Sequence, residues 1–351
     1  MFALNAHSIA QTTPTGDAIA HAVMSGWALG PVTHCVLMRR GFNQVYELHF
    51  GDGRHAIARL SAERPRGEPN VAYETALLLH LQARGIPVAA PLPTKDGAFH
   101  IAVQLPEGPR ALMLFDFLPG DPPGESLTDI EAAGRGLAQL HIAAQDYAGP
   151  ESRYVLDLPE LLDASLQRML AAPTVDHALA REFSALARDL HERFATLPGL
   201  TRVHCHGDCH GSNNFMTDGR DGGRVAAFFD FDDTGPGLLA YELSVYLWVL
   251  LPRSLETPAS AAVLERWRRY LAGYTSVRAV PQEDMAAIAP CLALRQFWVM
   301  GEYAGRIPVW GTQAMPTHWL RKQGPLMRAW MELPTRDGLS AEISRATPVD
   351  H

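Results

Sequence analysis

The sequence predicts an α+β protein built as two unequal lobes. Strand-like runs crowd the first 118 residues. A breaker cluster, Pro119-Gly120-Asp121-Pro122-Pro123-Gly124, then interrupts the chain, and beyond it the apolar spacing is almost wholly helical. The boundaries that follow are 1–118 for a small sheet-bearing lobe and 119–351 for a larger helical one.

Each element has its own reason. A short helix over 15–28 starts near Thr15 or Asp17. Thr33–Met38, Val45–Phe50 and Ala56–Leu60 read as strands, and Gly51-Asp52-Gly53 joins the last two as a hairpin. A Pro65–Pro69 loop leads into a helix reaching Arg84, with Val71, Leu77, Leu78 and Leu81 apolar and Gly85 ending it. After a Lys95-Asp96-Gly97 turn come strands at Phe99–Leu105 and Ala111–Leu118. Thr128 with Glu131 predicts a capping box for a helix reaching His141. Further helices are predicted at 158–172, 176–196, 238–251, 258–275, 284–304 and 317–332, around a β-rich insert at 202–232. The polar tail after Pro334 is expected to fray.

Composition narrows the class. The chain has 351 residues, 47% of them hydrophobic, enough for a substantial core. No run of eighteen apolar residues predicts a membrane helix, and no basic residue followed by an apolar run marks a signal peptide. Cys35, Cys205, Cys209 and Cys291 are irregularly spaced, unlike a disulfide framework, which fits a cytoplasmic setting. The first 118 residues hold nine acids and nine bases, so the net charge of −8 belongs entirely to the second lobe. That argues against nucleic acid as a partner and is consistent with a cationic one or with a solvated acidic surface.

The chemistry concentrates in His206-Gly207-Asp208-Cys209-His210-Gly211-Ser212-Asn213 and in Asp230-Phe231-Asp232-Asp233. A hairpin turning at Gly219–Gly223 would return Asp230 to the side of the first loop, so that two carboxylates and an amide converge. Phosphoryl transfer needs such a set. Asp208 would take the proton of an attacking hydroxyl, and Asn213 and Asp230 would offer hard oxygens to Mg²⁺. His204 to His210 also has the residue types of a zinc site, but lacks a second Cys/His pair at a distance.

The loop resembles His-Gly-Asp-x-His-x-x-Asn of the aminoglycoside phosphotransferase and choline-kinase-like family, with Asp230 matching the aspartate that opens its Asp-Phe-Gly counterpart. The resemblance extends to Gly41-Phe42-Asn43-Gln44-Val45-Tyr46, Ile86–Pro91, Leu114–Gly120 and Arg295–Gly301, the last similar to type II homoserine kinases and the stress-response kinase A group. It implies a protein-kinase-like bilobal fold, ATP and Mg²⁺ as cofactors, and a small metabolite, with or without an amine, as hydroxyl acceptor. It places Arg59 at the phosphate-binding position, Glu74 at its helix partner, and Asp116 and Leu118 where backbone groups meet adenine. His206 would tether the loop. Arg59 stands where lysine is usual, and Glu242 where many relatives carry an aspartate that braces the loop. A protein Ser/Thr kinase and a degenerate nucleotide-binding regulator are the alternative readings.

Overall fold

The structure is a computed structural model that describes residues 9–219, 222–257 and 259–333. Helix α1 (Gly16–Gly26) opens it, capped by Thr15, whose hydroxyl accepts the Ala18 N–H at 3.3 Å. Strands β1 (Val32–Arg40), β2 (Gln44–Phe50) and β3 (His55–Leu60) follow, then helix α2 (Val71–Ala83) and the hairpin β4 (Ile101–Leu105) and β5 (Gly108–Asp116). These strands form one antiparallel sheet ordered β1-β2-β3-β5-β4.

Period-two alternation decides what the sheet carries on each face. Tyr46, Leu48, Ala56, Ala58, Leu112 and Leu114 point to one side and are buried against Ile19 and Val23 of α1 and Trp27 just after it. Each of the buried leucines contributes roughly 1.5–3 kcal/mol on burial, the alanines less. The intervening residues Val45, Ile57, Arg59, Met113 and Phe115 fall on the other face, toward α2 and the second lobe. Glu74 shares the buried face of α2 with Leu77, Leu78 and Leu81, and this spacing aims a carboxylate into the interior.

The second lobe contains α3 (Leu127–Ala143), α4 (Ser165–Leu170), α5 (His177–Ala195), β6 (Arg202–Cys205), β7 (Asn214–Asp218), β8 (Arg224–Phe228), β9 (Gly235–Leu238), α6 (Leu239–Leu250), α7 (Ala261–Thr275), α8 (Gln282–Trp310) and α9 (Thr317–Met331). Several boundaries differ from expectation for identifiable reasons. Helix α3 is capped by Ser126, not Thr128. The Ser126 hydroxyl accepts the Asp129 N–H at 3.3 Å, so Thr128 lies inside the first turn. The helix expected over 158–172 begins as a π-helical segment, Pro159–Ala164, before α4. Helix α8 runs past 304 through Pro308, because its side chains stay buried as far as Arg306, and it stops at Gly311 with φ 79°. Strand β9 was hidden by Gly-Pro-Gly, which reads as a turn. It pairs with β6, and a Cβ at Gly237 would lie 2.6 Å from Leu156 Cβ, so close packing requires the glycine. The expected frayed tail lies outside the described residues.

Candidate active site

Strand β6 delivers the 206–213 loop, and the β7–β8 hairpin carries the chain back to it. The register is Asn214 opposite Phe228, and the Phe229 N–H donates to the Asn213 carbonyl at 3.1 Å. The next residue is Asp230, so the expected convergence is present. Arg220 and Asp221 of the predicted turn lie outside the described residues. Asp230 has φ 66°, the one non-glycine positive φ among the described residues. Such a conformation costs of order 1–3 kcal/mol and must be held by its surroundings.

The loop is fastened from three sides. Glu242, in the first turn of α6, accepts the backbone N–H of His206 at 3.0 Å and of Gly207 at 2.9 Å. The longer glutamate therefore does the bracing expected of an aspartate. Burial pushes its carboxyl up to about 7 despite these two donors. His206 Nε2 lies 2.9 Å from the Phe229 carbonyl, which can only accept, so this nitrogen carries the proton. Burial holds that imidazole down at about 4, hence neutral. Gly207 has φ 88°, and a Cβ there would sit 2.2 Å from the Asp233 carbonyl oxygen, so only glycine lets the loop nest on the 230–233 turn. The His and Cys residues around it do not gather as metal ligands. His204 Nδ1 is 2.6 Å from the Tyr73 hydroxyl, and no group of three ligand atoms converges at 204–210 among the described residues.

Asp208 is held by three neighbours. Asn213 Nδ2 donates to its backbone carbonyl at 2.9 Å and to Oδ2 at 3.0 Å. His210 Nε2 is 3.5 Å from Oδ2, and Arg295 Nη2 donates to Oδ1. Burial alone would raise this carboxyl, but Arg295 and His210 outweigh it and hold the group well below the usual carboxylate range. Asn213 spends its NH₂ on Asp208, which leaves its side-chain oxygen for another ligand.

Arg59 crosses from β3 to both lobes. Nη2 bonds Glu74 Oε2 at 2.5 Å, Nη1 lies 3.7 Å from Asp230 Oδ1, and the guanidinium carbon sits 5.1 Å from the Phe115 ring centroid. Burial raises Glu74 in spite of Arg59. Asp230 is pushed up to about 8 by burial and by the Asp232 carboxylate, against the opposing pull of Arg59. At the end of β5 the Asp116 N–H is taken by the Ala90 carbonyl at 2.9 Å, so this residue has only its carbonyl to offer. The Leu118 N–H meets no backbone carbonyl among the described residues.

Two cavities meet here. One, of about 230 Å³, lies under the sheet between Ile57, Leu78, Phe115, Leu118 and Phe231, with Arg59, Glu74 and Asp116 on its walls. The other, of about 310 Å³, lies between the lobes beside Asp208, Arg295, Trp298 and Glu302. Arg39, Val45, Ser212, Asn213 and Asp230 border both.

Sequence reasoning missed a set of arginines and their partners. Arg295 is the clearest of them, since a lone arginine within Cys-Leu-Ala-Leu-Arg-Gln-Phe-Trp signals a buried partner. Arg64 Nη1 lies 2.9 Å from both Asp232 Oδ2 and Asp233 Oδ1, and its Nε lies 2.8 Å from Glu302 Oε2. Arg66 Nη1 is 2.6 Å from Asp233 Oδ1. Asn43 donates to Asp232 Oδ2 at 2.7 Å and accepts the Ala62 N–H at 3.1 Å. Asp232 and Asp233 are thus bound to the first lobe, which separates their roles from that of Asp230.

The model of the phosphotransferase enzyme family matches residues 38–280, which spans both lobes and the whole 206–233 region. The chain belongs to that family. A protein of Deinococcus radiodurans is 35% identical to this phosphotransferase over 280 residues, covering 80% of this chain and 79% of the relative. A homoserine kinase of Xanthobacter autotrophicus is 26% identical over 286 residues, covering 79% and 81%. The solved structure of an amicoumacin kinase with AMP-PNP, Ca²⁺ and its ligand matches with a TM-score of 0.68 at 17% identity, covering 88% of this chain and 93% of that one. The kinase-like bilobal fold expected from sequence, a small sheet lobe and a larger helical lobe, is the one observed. No helix among the described residues is long and apolar enough to cross a membrane.

Proposed function

We propose that this phosphotransferase moves the γ-phosphate of ATP, taken with Mg²⁺, to a hydroxyl of a small, amine-bearing metabolite. The observation that carries the reading is the junction of an apolar cavity and a polar one at Asn213 and Asp230, with Asp208 on the polar side. A flat apolar base suits the first cavity and a hydroxylated acceptor the second, so donor and acceptor would approach along one line. The lobes would divide as 1–118 for nucleotide and 119–351 for catalysis and acceptor.

The Asp116 carbonyl and the Leu118 N–H are suited to an adenine edge. Arg59, charged at any working pH and steadied by Glu74, neutralises phosphate. The chain's oxygens fit a magnesium ion. Burial and the neighbouring Asp232 carboxylate raise the Asp230 carboxyl to about 8, a site where a cation would be welcome, and Asn213 keeps an oxygen free of its own hydrogen bonds. Magnesium bound there would offset the charge of the phosphates. Asp208, ionised throughout the neutral range, orients the acceptor hydroxyl and takes its proton as the new O–P bond forms and the bond to ADP breaks.

The acceptor reading rests on the lining of the polar cavity and on kinship. Asp208, Asp230, Asp232, Asp233 and Glu302 face it beside Arg39, Arg64 and Arg295, a polar wall suited to a small hydroxylated molecule. The amine on the acceptor is taken from the homoserine kinase named above, whose acceptor carries one. The free thiols of Cys35, Cys205, Cys209 and Cys291 are in keeping with a cytoplasmic setting.

ADP release measured over amino alcohols, amino acids with hydroxyls, sugars and protein acceptors tests the proposal. Turnover on an amine-bearing hydroxyl compound, lost by a factor of about 10²–10⁴ in Asp208→Ala, is expected. Phosphate appearing only on proteins would replace the acceptor class. Nucleotide binding without Asp208-dependent turnover on any acceptor would remove the enzymatic reading.

A further inference from the structure

The sheet face that forms the roof of the nucleotide cavity continues outward into a cluster that the phosphoryl-transfer site does not use. Val45 and Ile57 line the cavity. Two residues farther along β2 and β3, on the same face, stand Glu47 and His55, and then His49, which pairs directly with His55 across the strands. Glu47 Oε1 is 3.1 Å from His49 Nε2 and 4.0 Å from His55 Nδ1. The His49 and His55 rings are 4.0 Å apart between centroids. Glu47, His49 and His55 can each present one ligand atom so that all lie within 4.8 Å of one another, and they form the one such group among the described residues. The His34 ring, from β1, lies 5.7 Å from that of His49.

Two imidazoles from adjacent strands turn a nitrogen toward the same carboxylate oxygen, Glu47 Oε1. A hydrogen bond to Glu47 would need only one of these rings, whereas a cation seated between the three side chains would use a donor atom from each at once. Two imidazole nitrogens and a carboxylate oxygen are the donor set of a borderline-soft ion such as Zn²⁺, and not of Mg²⁺ or Ca²⁺, which take oxygen. The positions are rigid, since Glu47 and His49 are two apart on one strand and His55 is fixed by the hairpin register. We propose that Glu47, His49 and His55 form a transition-metal site of the Zn²⁺ class, separate from the phosphoryl-transfer centre, with water or His34 in the fourth position. The site adjoins the adenine end of the cavity, where Phe117, between Asp116 and Leu118, packs edge-on against His55 at 5.4 Å.

The test uses the full chain after chelator treatment, titrated with Zn²⁺ alone by calorimetry in excess Mg²⁺, with Co²⁺ as an optical probe. One equivalent of Zn²⁺ should bind, and Co²⁺ should give the intense visible bands of a four-coordinate site. His49→Ala and His55→Ala, on different strands, should each weaken Zn²⁺ binding by about 100-fold or more and abolish the Co²⁺ bands. Glu47→Gln, which keeps the shape, should weaken binding at least tenfold at an unchanged melting temperature. Asp230→Ala should bind Zn²⁺ as the wild type does. Absence of stoichiometric binding, binding unaffected in Glu47→Gln and in whichever histidine variants fold, or binding lost in Asp230→Ala overturns the assignment.

Discussion

Arg295 Nη2 donates to Asp208 Oδ1, while Nη1 of the same guanidinium reaches the Gly207 carbonyl and the Tyr241 hydroxyl, each at 3.1 Å. One side chain from α8 thus fixes both the backbone of the loop and the charge of its carboxylate. Arg295 and His210 hold Asp208 ionised even though burial opposes it. Removing Arg295 therefore lets the Asp208 carboxyl rise toward and above the ordinary value of about 3.9. We expect Arg295→Met to lower kcat by about 100-fold, through misplacement as well as charge, and to move the acid limb of the pH–rate profile upward by at least about one unit. A profile that does not move on this substitution counts against the pairing.

Arg59 also joins two anions, and its replacement separates charge from shape. Arg59→Lys keeps the charge but cannot reach Glu74 and Asp230 through two nitrogens of one plane. Arg59→Met leaves Glu74 as a lone buried carboxylate, a loss of roughly 3–5 kcal/mol. In urea denaturation Arg59→Met should be the less stable of the two by most of that amount. In nucleotide titration both should weaken binding, Arg59→Lys the less. Equal stability of the two variants would show that Glu74 does not depend on the guanidinium.

What could be read in the sequence follows sequence distance. The Asp208–Asn213 loop and Asp230 belong to one short stretch, so turn chemistry and a hairpin sufficed to join them. Ile57, Arg59 and Phe115 on the cavity wall follow from strand alternation. The pairing of Arg64 with Glu302, 238 residues apart, leaves no local trace, because burial supplies its partner only after the lobes meet. Strand β9 was missed for the opposite reason. Its Gly-Pro-Gly has low strand propensity, and the strand exists because packing on Leu156 and pairing with β6 override that preference.

Glu242 gives a pH-dependent prediction. Its folded value of about 7 lies above the unfolded value of about 4.3, so the folded state binds the proton more tightly. The stability this confers is complete below about pH 4.3 and is lost as pH rises through about 7. Glu242→Gln is neutral at every pH and turns an NH₂ toward one of two backbone donors, costing about 1–3 kcal/mol at low pH. The gap in unfolding free energy between wild type and variant should narrow from pH 5 to pH 8. A gap that widens over that range reverses the assignment of Glu242 as a carboxyl raised by burial.

Arg64 binds the lobes through three carboxylates, Asp232 and Asp233 beside the loop and Glu302 on α8. Arg64 and Glu302 are buried, and Glu302 has one further cation at the longer distance of 3.9 Å, Arg168 Nη1 against Oε1, so Arg64 is its close partner among the described residues. Arg64→Met should destabilise the protein by roughly 3–5 kcal/mol, since it strands buried negative charge. Glu302→Gln removes one of those charges, so in the Arg64→Met background it should cost less than in the wild type, or be favourable. The two substitutions in a double-mutant cycle should therefore show a coupling of about 1–3 kcal/mol. Additive effects within about 0.5 kcal/mol would mean that Arg64 and Glu302 act independently. In that case the charge of Arg64 is carried by Asp232 and Asp233 alone.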